Sequence, residues 1–274
     1  MIPEIPLNTG DGIPQLGFGT WPFTDAEAAD AVAAAAAVGY RHFDTATRYG
    51  NEAGVAEGMR RSGIPRDELF VTTKLDGEFQ GGDRAIGGLE AALDRMDLDY
   101  VDLLLMHWPL PQRGQFVSTW HTFERLHSDG RARAIGVSNF TPSQLDVLLK
   151  EASIVPAVNQ IQISPTIPRH DQVAYDAKHG IVTQSWSPLG GAGADELTAP
   201  VIEGLAADHG RTAGQIVLRW HVQRGLVPLP KTANPLRMGE NADVFDFELS
   251  DDDMAAIATL ERPGAGVDSD REGH

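Results

Sequence analysis

The sequence predicts an α/β fold, specifically a (β/α)8 barrel, from three observations. Eight short apolar runs alternate with longer helical stretches, polar side chains follow most of the runs, and 274 residues suit one barrel of roughly 250 residues. The runs are Leu16–Gly19, Tyr40–Phe43, Leu69–Thr72, Val101–Met106, Ala132–Val137, Ala157–Ile161, Ile181–Trp186 and Leu226–Leu229. Most contain β-branched or aromatic residues, and all are short enough for buried strands. Repetition of strand, helix, strand gives a parallel sheet with crossover helices, and eight units favour closure over an open sheet. One domain over 1–274 is therefore expected, with two domains of about 130 residues as the competing reading.

The connecting segments show helix boundaries. Thr24 is placed to cap a helix with Glu27 as its capping-box partner, and the Ala-rich stretch Ala26 to Val38 stops at Gly39. Thr141 precedes Pro142 at a first helical position, Thr212 to Gly225 reads as another helix, and Ser250 precedes Asp251-Asp252-Asp253 as a capped start. Before the first unit, Pro3 to Pro14 contains the turn signal Asn8-Thr9-Gly10-Asp11-Gly12 between short apolar stretches, which predicts a hairpin at the barrel bottom. The Gly-, Asp- and Pro-rich tail, about 263–274, is expected to be loose and flexible.

Composition removes whole classes of function. There are no cysteines, so disulfides, thiolate zinc sites and a cysteine nucleophile are excluded. A formal charge of −17 repels phosphate backbones and argues against a nucleic-acid partner. No run approaches the ~18 apolar residues of a membrane span, and Met1 to Gly12 has no leader-like pattern. A cytoplasmic monomer with no membrane partner is the default expectation.

The chemistry lies in the polar residues that end the runs. Asp44 comes directly after Phe43, with Tyr49 in the loop beyond; Thr73 and Lys74 come after Thr72; His107 comes after Met106. Ser138 and Asn139 come after Val137, Asn159 and Gln160 after Val158, and Pro230, Lys231 and Thr232 after Leu229. In a barrel these strand ends open on one face, so Asp44, Tyr49, Lys74 and His107 should converge there. A single polar strand end is more often a cap or loop anchor; four titratable groups on three consecutive strands are harder to explain that way. A free phenol has a pKa of about 10, which a neighbouring ammonium should lower, while a carboxylate keeps that ammonium charged. A neutral imidazole can hydrogen-bond a carbonyl oxygen and orient it. The quartet suits protonation of a carbonyl oxygen as negative charge develops on it.

At these residues the chain resembles the aldo-keto reductase family. The likeness runs through Ile13-Pro14-Gln15-Leu16-Gly17-Phe18-Gly19-Thr20-Trp21, Gly39-Tyr40-Arg41-His42-Phe43-Asp44-Thr45-Ala46 and Tyr49-Gly50-Asn51-Glu52. It continues through Thr73-Lys74-Leu75, His107-Trp108-Pro109, Gly136-Val137-Ser138-Asn139-Phe140, Val158-Asn159-Gln160, Ser187-Pro188-Leu189-Gly190 and Pro230-Lys231-Thr232. The nearest likeness is to short bacterial members similar to 2,5-diketo-gluconate reductases. The resemblance implies an NADPH-dependent oxidoreductase that reduces aldehyde or ketone carbonyls, with Tyr49 as general acid, Lys74 and Asp44 as its tuning pair, and His107 orienting the carbonyl. It assigns Ser138, Asn139 and Gln160 to the nicotinamide carboxamide, Trp186 to ring stacking, and Ser187, Leu189 and Gly190 to the pyrophosphate. It assigns Lys231, Thr232 and Arg237 to the 2′-phosphate, and Asn241 to the adenine.

Departures from the family pattern bear on specificity. Asp76 stands where many relatives have Trp, which predicts a wetter pocket between Trp21 and Trp108 that favours small polar dicarbonyls, keto-sugars and keto-acids. Asn234 stands where close bacterial relatives often have Arg, which leaves NADH as a weaker alternative cofactor. The stretch Gly190-Gly191-Ala192-Gly193 lacks the full G-x-G-x-x-G pattern, and His121, Glu124 and His127 lack H-E-x-x-H spacing. An NADPH-binding sensor without turnover is disfavoured by the intact quartet. A metal-dependent barrel enzyme needs several strand-end carboxylates where only Asp44 qualifies, so no metal is expected.

Overall fold

A computed structural model of the chain describes residues 2–191 and 195–274. Strands β1 (Glu4–Pro6) and β2 (Gly12–Pro14) form an antiparallel hairpin. Eight parallel strands come next: β3 (Phe18–Gly19), β4 (His42–Asp44), β5 (Phe70–Leu75), β6 (Val101–Met106), β7 (Ala132–Ser138), β8 (Val158–Gln162), β9 (Val182–Trp186) and β10 (Val227–Leu229). Hydrogen bonding runs in chain order from β3 to β10. The last seam is closed by Gly17 N donating to Pro228 O and Gly19 N donating to Pro230 O, both 3.1 Å. Glycine at position 17 suits this close approach, because a Cβ there would run into the side chains of Leu229 and His42. The expected (β/α)8 barrel is the fold the chain adopts.

The helices are α1 (Asp25–Ala37), α2 (Glu52–Ser62), α3 (Gly82–Met96), α4 (Phe116–Ser128), α5 (Pro142–Glu151), α6 (His170–Lys178), α7 (Pro200–His209), α8 (Ala213–Gln223), α9 (Pro235–Ala242) and α10 (Asp251–Ala258). Reciprocal capping boxes start four of them, at Thr24/Glu27, Thr141/Gln144, Thr212/Gln215 and Ser250/Asp253. Each satisfies two backbone donors that the first helical turn would otherwise leave open. No helix among the described residues is long and apolar enough to cross a membrane.

Alternation along β6 divides the core into an inside and an outside. Leu103 and Leu105 share a cluster with Phe70, Ala134, Val158 and Val227, along with Leu7 and Ile13 of the hairpin segment. Leu104 and Met106 instead pack with Leu89, Leu93, Trp120 and Phe123 of α3 and α4. The hairpin therefore covers the N-terminal end of the barrel, and Asn8 Nδ2 fixes it there by donating to Val155 O at 3.1 Å. With that end sealed by apolar side chains, polar chemistry is confined to the opposite mouth.

The Gly-, Asp- and Pro-rich tail, residues 263–274, lies along the barrel mouth. Val267 N donates to Gln162 Oε1 (2.9 Å), Gln144 Nε2 donates to Asp270 Oδ1 (2.7 Å), and Gly77 N donates to His274 O (3.1 Å). Partners more than 100 residues away, rather than local propensity, hold it.

One buried carboxyl gives the fold a pH dependence. Asp176 of α6 accepts hydrogen bonds from Gln172 Nε2 (2.8 Å), Thr183 Oγ1 (3.0 Å) and Asn159 Nδ2 (3.3 Å). Burial nevertheless outweighs these donors and pushes the carboxyl up to about 7. A raised folded-state pKa gives stability that is fully present below the unfolded value and is lost as pH rises through about 7. Between pH 5 and pH 8 the native chain should lose about 2–3 kcal/mol more unfolding free energy than Asp176→Asn, as read by denaturant melts. Parallel pH curves for the two proteins would contradict this.

Candidate active site

The barrel mouth gathers the quartet by three different routes. Asp44 is the last residue of β4, Lys74 lies in β5, and His107 directly follows β6. Tyr49 ends a 3-10 turn, Thr47–Tyr49, that Gly50 terminates at φ +63°. Thr47 Oγ1 joins this turn to β5 by donating to Lys74 O (3.1 Å) and accepting from Asp76 N (3.2 Å). The tyrosine is thus carried on a loop but anchored to the strand that bears its lysine.

Lys74 is 1% exposed and Asp44 3%. The Lys74 ammonium has three partners: Asp44 Oδ1 at 2.5 Å, Thr45 O at 3.1 Å and Tyr49 Oη at 3.2 Å. Its three protons are all used, and the phenol oxygen accepts one of them. The Tyr49 hydroxyl proton is left free to be donated elsewhere. The second Asp44 oxygen accepts from Gln160 Nε2 (2.8 Å), which also donates to Gln184 Oε1 (3.0 Å). The His107 ring stands edge-on to Tyr49 with centroids 5.9 Å apart.

Protonation is set by burial and neighbours. Burial draws the Lys74 ammonium down, but Asp44 and Tyr49 more than offset it, and the group is held above the ordinary lysine value. Burial, reinforced by the charge of Lys74, holds His107 well below the ordinary histidine value, so the imidazole is neutral at pH 7. Tyr49 departs from the sequence expectation. Burial raises its phenol above the ordinary value, and the opposing pull of Lys74 does not overcome it. The ammonium moderates the desolvation instead of producing a free acidic phenol, so the group stays protonated near neutrality.

The residues expected at the cofactor occupy the same mouth. Asn139 takes a left-handed conformation at φ +63°, tolerable for asparagine, and donates to His107 O (3.0 Å) and Ser138 Oγ (3.1 Å). Its Oδ1 accepts from Trp186 Nε1 (2.9 Å), which fixes the indole, while Ser138 Oγ donates to Gln160 O (2.8 Å). Ser187 (φ +50°), Leu189 and Gly190 (φ +85°) form the loop after β9. Ala192 and Gly193 of the glycine-rich stretch lie outside the described residues. Lys231 and Thr232 come after β10; Arg237 and Asn241 lie on α9. Lys231 and Arg237 are exposed, and Lys231 Nζ sits 4.2 Å from the Phe23 ring centroid. Two exposed cations on one seam of a chain with charge −17 fit a phosphate group. Asn234 Oδ1 is occupied in capping α9, accepting from Leu236 N at 2.9 Å.

Around the quartet the structure places a residue the sequence did not suggest. Trp21 is 57% exposed and its ring lies 5.2 Å from that of Tyr49. Trp108 is half-buried beside His107. Asp76 is buried, but it does not leave an open wet gap: His274 Nδ1 lies 2.6 Å from Asp76 Oδ1, and its ring packs against both His107 and Trp108. An imidazole from the tail thus fills space beside a carboxylate 198 positions earlier, a pairing with no local signal. Arg48 Nη1, 3.5 Å from the other Asp76 oxygen, is a second rim residue without a sequence signature. Glu124 is structural, as its Oε1 accepts from Ser153 N and Ile154 N, and His121 Nδ1 lies 3.3 Å from its other oxygen. A cavity of about 630 Å3 between Asn139 and the tail segment Arg262–Ser269 lies beside the quartet, and none of the four lines it.

Known proteins share this architecture. Residues 12–262 match the family model described as the aldo/keto reductase family. An aldo-keto reductase of Mycobacterium sp. (strain JLS) is 47% identical over 259 residues, covering 94% of this chain and 93% of the relative. A 2,5-diketo-D-gluconic acid reductase B of Corynebacterium sp. (strain SHS752001) is 43% identical over 273 residues, covering 100% of this chain and 98% of the relative. Among solved structures, a Bombyx mori aldo-keto reductase in complex with NADP superposes with a TM-score of 0.89 at 34% identity, covering 95% of this chain and 93% of that one. The chain belongs to the aldo/keto reductase family and is an NAD(P)H-dependent oxidoreductase.

Proposed function

We propose that the protein reduces the carbonyl group of small polar aldehydes and ketones at the expense of NADPH, with Tyr49 as the proton donor. The observation that carries this reading is the buried Lys74 ammonium bonded to both Asp44 (2.5 Å) and the Tyr49 oxygen (3.2 Å) at the barrel mouth. NADPH, when bound, supplies the hydride. The chain's own groups do the rest. His107, neutral and with its backbone carbonyl held by Asn139, orients the carbonyl oxygen toward Tyr49. Tyr49 donates its proton to that oxygen as charge builds there, and the fixed ammonium of Lys74 stabilises the resulting phenolate. Asp44 and Gln160 keep the ammonium charged and in place.

Substrate and cofactor choices depend on the rim. Asp76, Arg48 and His274 make one wall polar and suit dicarbonyls, keto-sugars and keto-acids better than large apolar ketones. The Corynebacterium relative carries the name of a diketo acid reductase, in line with that choice. Ser138, Asn139, Gln160 and Trp186 are assigned to the nicotinamide, and Ser187, Leu189 and Gly190 to the pyrophosphate. Lys231, Thr232 and Arg237 are assigned to the 2′-phosphate and Asn241 to the adenine, with NADH as the weaker cofactor. The NADP named in the Bombyx mori structure supports the phosphorylated cofactor.

Tyr49→Phe should lower kcat by at least about 100-fold while leaving NADPH affinity within about twofold, read by steady-state rates and fluorescence titration. A variant that kept the native kcat would overturn the acid assignment. Lys231→Ala should raise KM for NADPH by about 10- to 100-fold, as for loss of one charge-assisted bond, and leave KM for NADH unchanged. Equal effects on the two cofactors would remove Lys231 from the 2′-phosphate site.

A further inference from the structure

A second cluster shares His107 with the quartet, and its other two members have no part in the proton transfer. Asp76, His107 and His274 each present a ligand atom, and these atoms lie within 4.8 Å of one another. Among the described residues they are the one such cluster of three. Two observations point to a ligand at this spot. Among the described residues His107 Nδ1 is buried with no hydrogen-bond partner, and it faces Asp76 Oδ1 at 3.8 Å. A buried ring nitrogen without a partner is costly unless something fills the gap. His274 Nδ1, at 2.6 Å from the same oxygen, completes a triangle of two imidazole nitrogens and a carboxylate.

We infer that Asp76, His107 and His274 bind one divalent transition-metal ion of the zinc class, and that the bound ion shuts the carbonyl pocket. Two nitrogens and one carboxylate oxygen are a donor set that suits zinc rather than calcium or magnesium, which prefer all-oxygen shells. Metal bonds of roughly 2.0–2.1 Å place tetrahedral ligand atoms about 3.3 Å apart. His274 then withdraws slightly from Asp76, and His107 approaches it by a similar amount. The ion takes the position of the proton between His274 Nδ1 and Asp76, and that imidazole keeps its proton on Nε2 instead. The fourth position is left to water. The site has a counterweight: Arg48 lies 3.5 Å from the second Asp76 oxygen and must share that carboxylate with the ion. The net charge of −17 favours cation capture in general. Inhibition by the ion rests on the orienting role given to His107, whereas the site itself does not.

The test uses the full chain, free of any affinity tag and stripped by chelator dialysis. Co2+ is titrated with visible absorption as the readout, and Zn2+ by calorimetry. One ion per chain is expected, with the strong d–d bands of a four-coordinate Co2+ centre. His274→Gln and Asp76→Asn should each weaken binding by at least about tenfold, since even outer-shell changes cost that much, and His121→Gln should leave it unchanged. No stoichiometric binding, or native binding in both His274→Gln and Asp76→Asn, would overturn the site. In turnover assays Zn2+ should inhibit competitively against the carbonyl substrate, without changing KM for NADPH, and a chelator should restore the rate. Stoichiometric binding without inhibition would keep the site, but would overturn the blocking effect and the role of His107.

Discussion

The ion pair between Lys74 and Asp44 is the constraint around which the mouth of this barrel is arranged. Both groups are almost completely buried, where an unpaired charge costs several kcal/mol. The pair is held in place because all three ammonium protons and both carboxylate oxygens have partners. The ammonium uses Asp44, Thr45 and Tyr49, and the carboxylate uses Lys74 and Gln160. Gln160 is in turn held by Gln184 on the next strand. A network this complete fixes geometry as well as charge, and it fixes Tyr49 by taking up the acceptor side of its hydroxyl.

The same network explains why burial and reactivity do not conflict. Desolvation alone makes a phenol a poorer acid, and it raises Tyr49 here. A buried ammonium beside the oxygen offsets part of that effect and stands where phenolate charge would develop in the proposed reaction. The barrel supplies rigidity at no cost to the site: the hairpin and the inward-facing Leu103 and Leu105 fill the opposite end with apolar side chains. The tail adds a wall at the rim through His274. The rim is thus completed by a late segment tied to distant partners, while Asp44 and Lys74 sit on strands and Tyr49 on a turn anchored to β5.

Much of this was legible in the residues. The apolar runs marked all eight barrel strands to within a few residues, because a strand buried on both faces is a short apolar stretch whatever its surroundings. Thr24, Thr141, Thr212 and Ser250 marked helix starts, because capping is a local interaction. Convergence of Asp44, Tyr49, Lys74 and His107 became an expectation once closure was accepted. Three features were not legible. The direction of the Tyr49 shift depends on how deeply the ring is buried, which no spacing encodes. The docking of residues 263–274 depends on partners such as Gln144 and Gln162, far away in sequence. The placement of His274 against Asp76 depends on that docking. Each is a tertiary effect without a periodic or local signature.

The claim that Lys74 acts on the phenol, and is not merely a structural cation, is open to one decisive measurement. Lys74→Met keeps the length of the side chain and removes its charge. Single-turnover rates with NADPH and a small dicarbonyl should fall by about 100- to 10,000-fold, with NADPH affinity retained and the fold intact by circular dichroism. A folded Lys74→Met protein that reduced the carbonyl at the native rate would contradict the account.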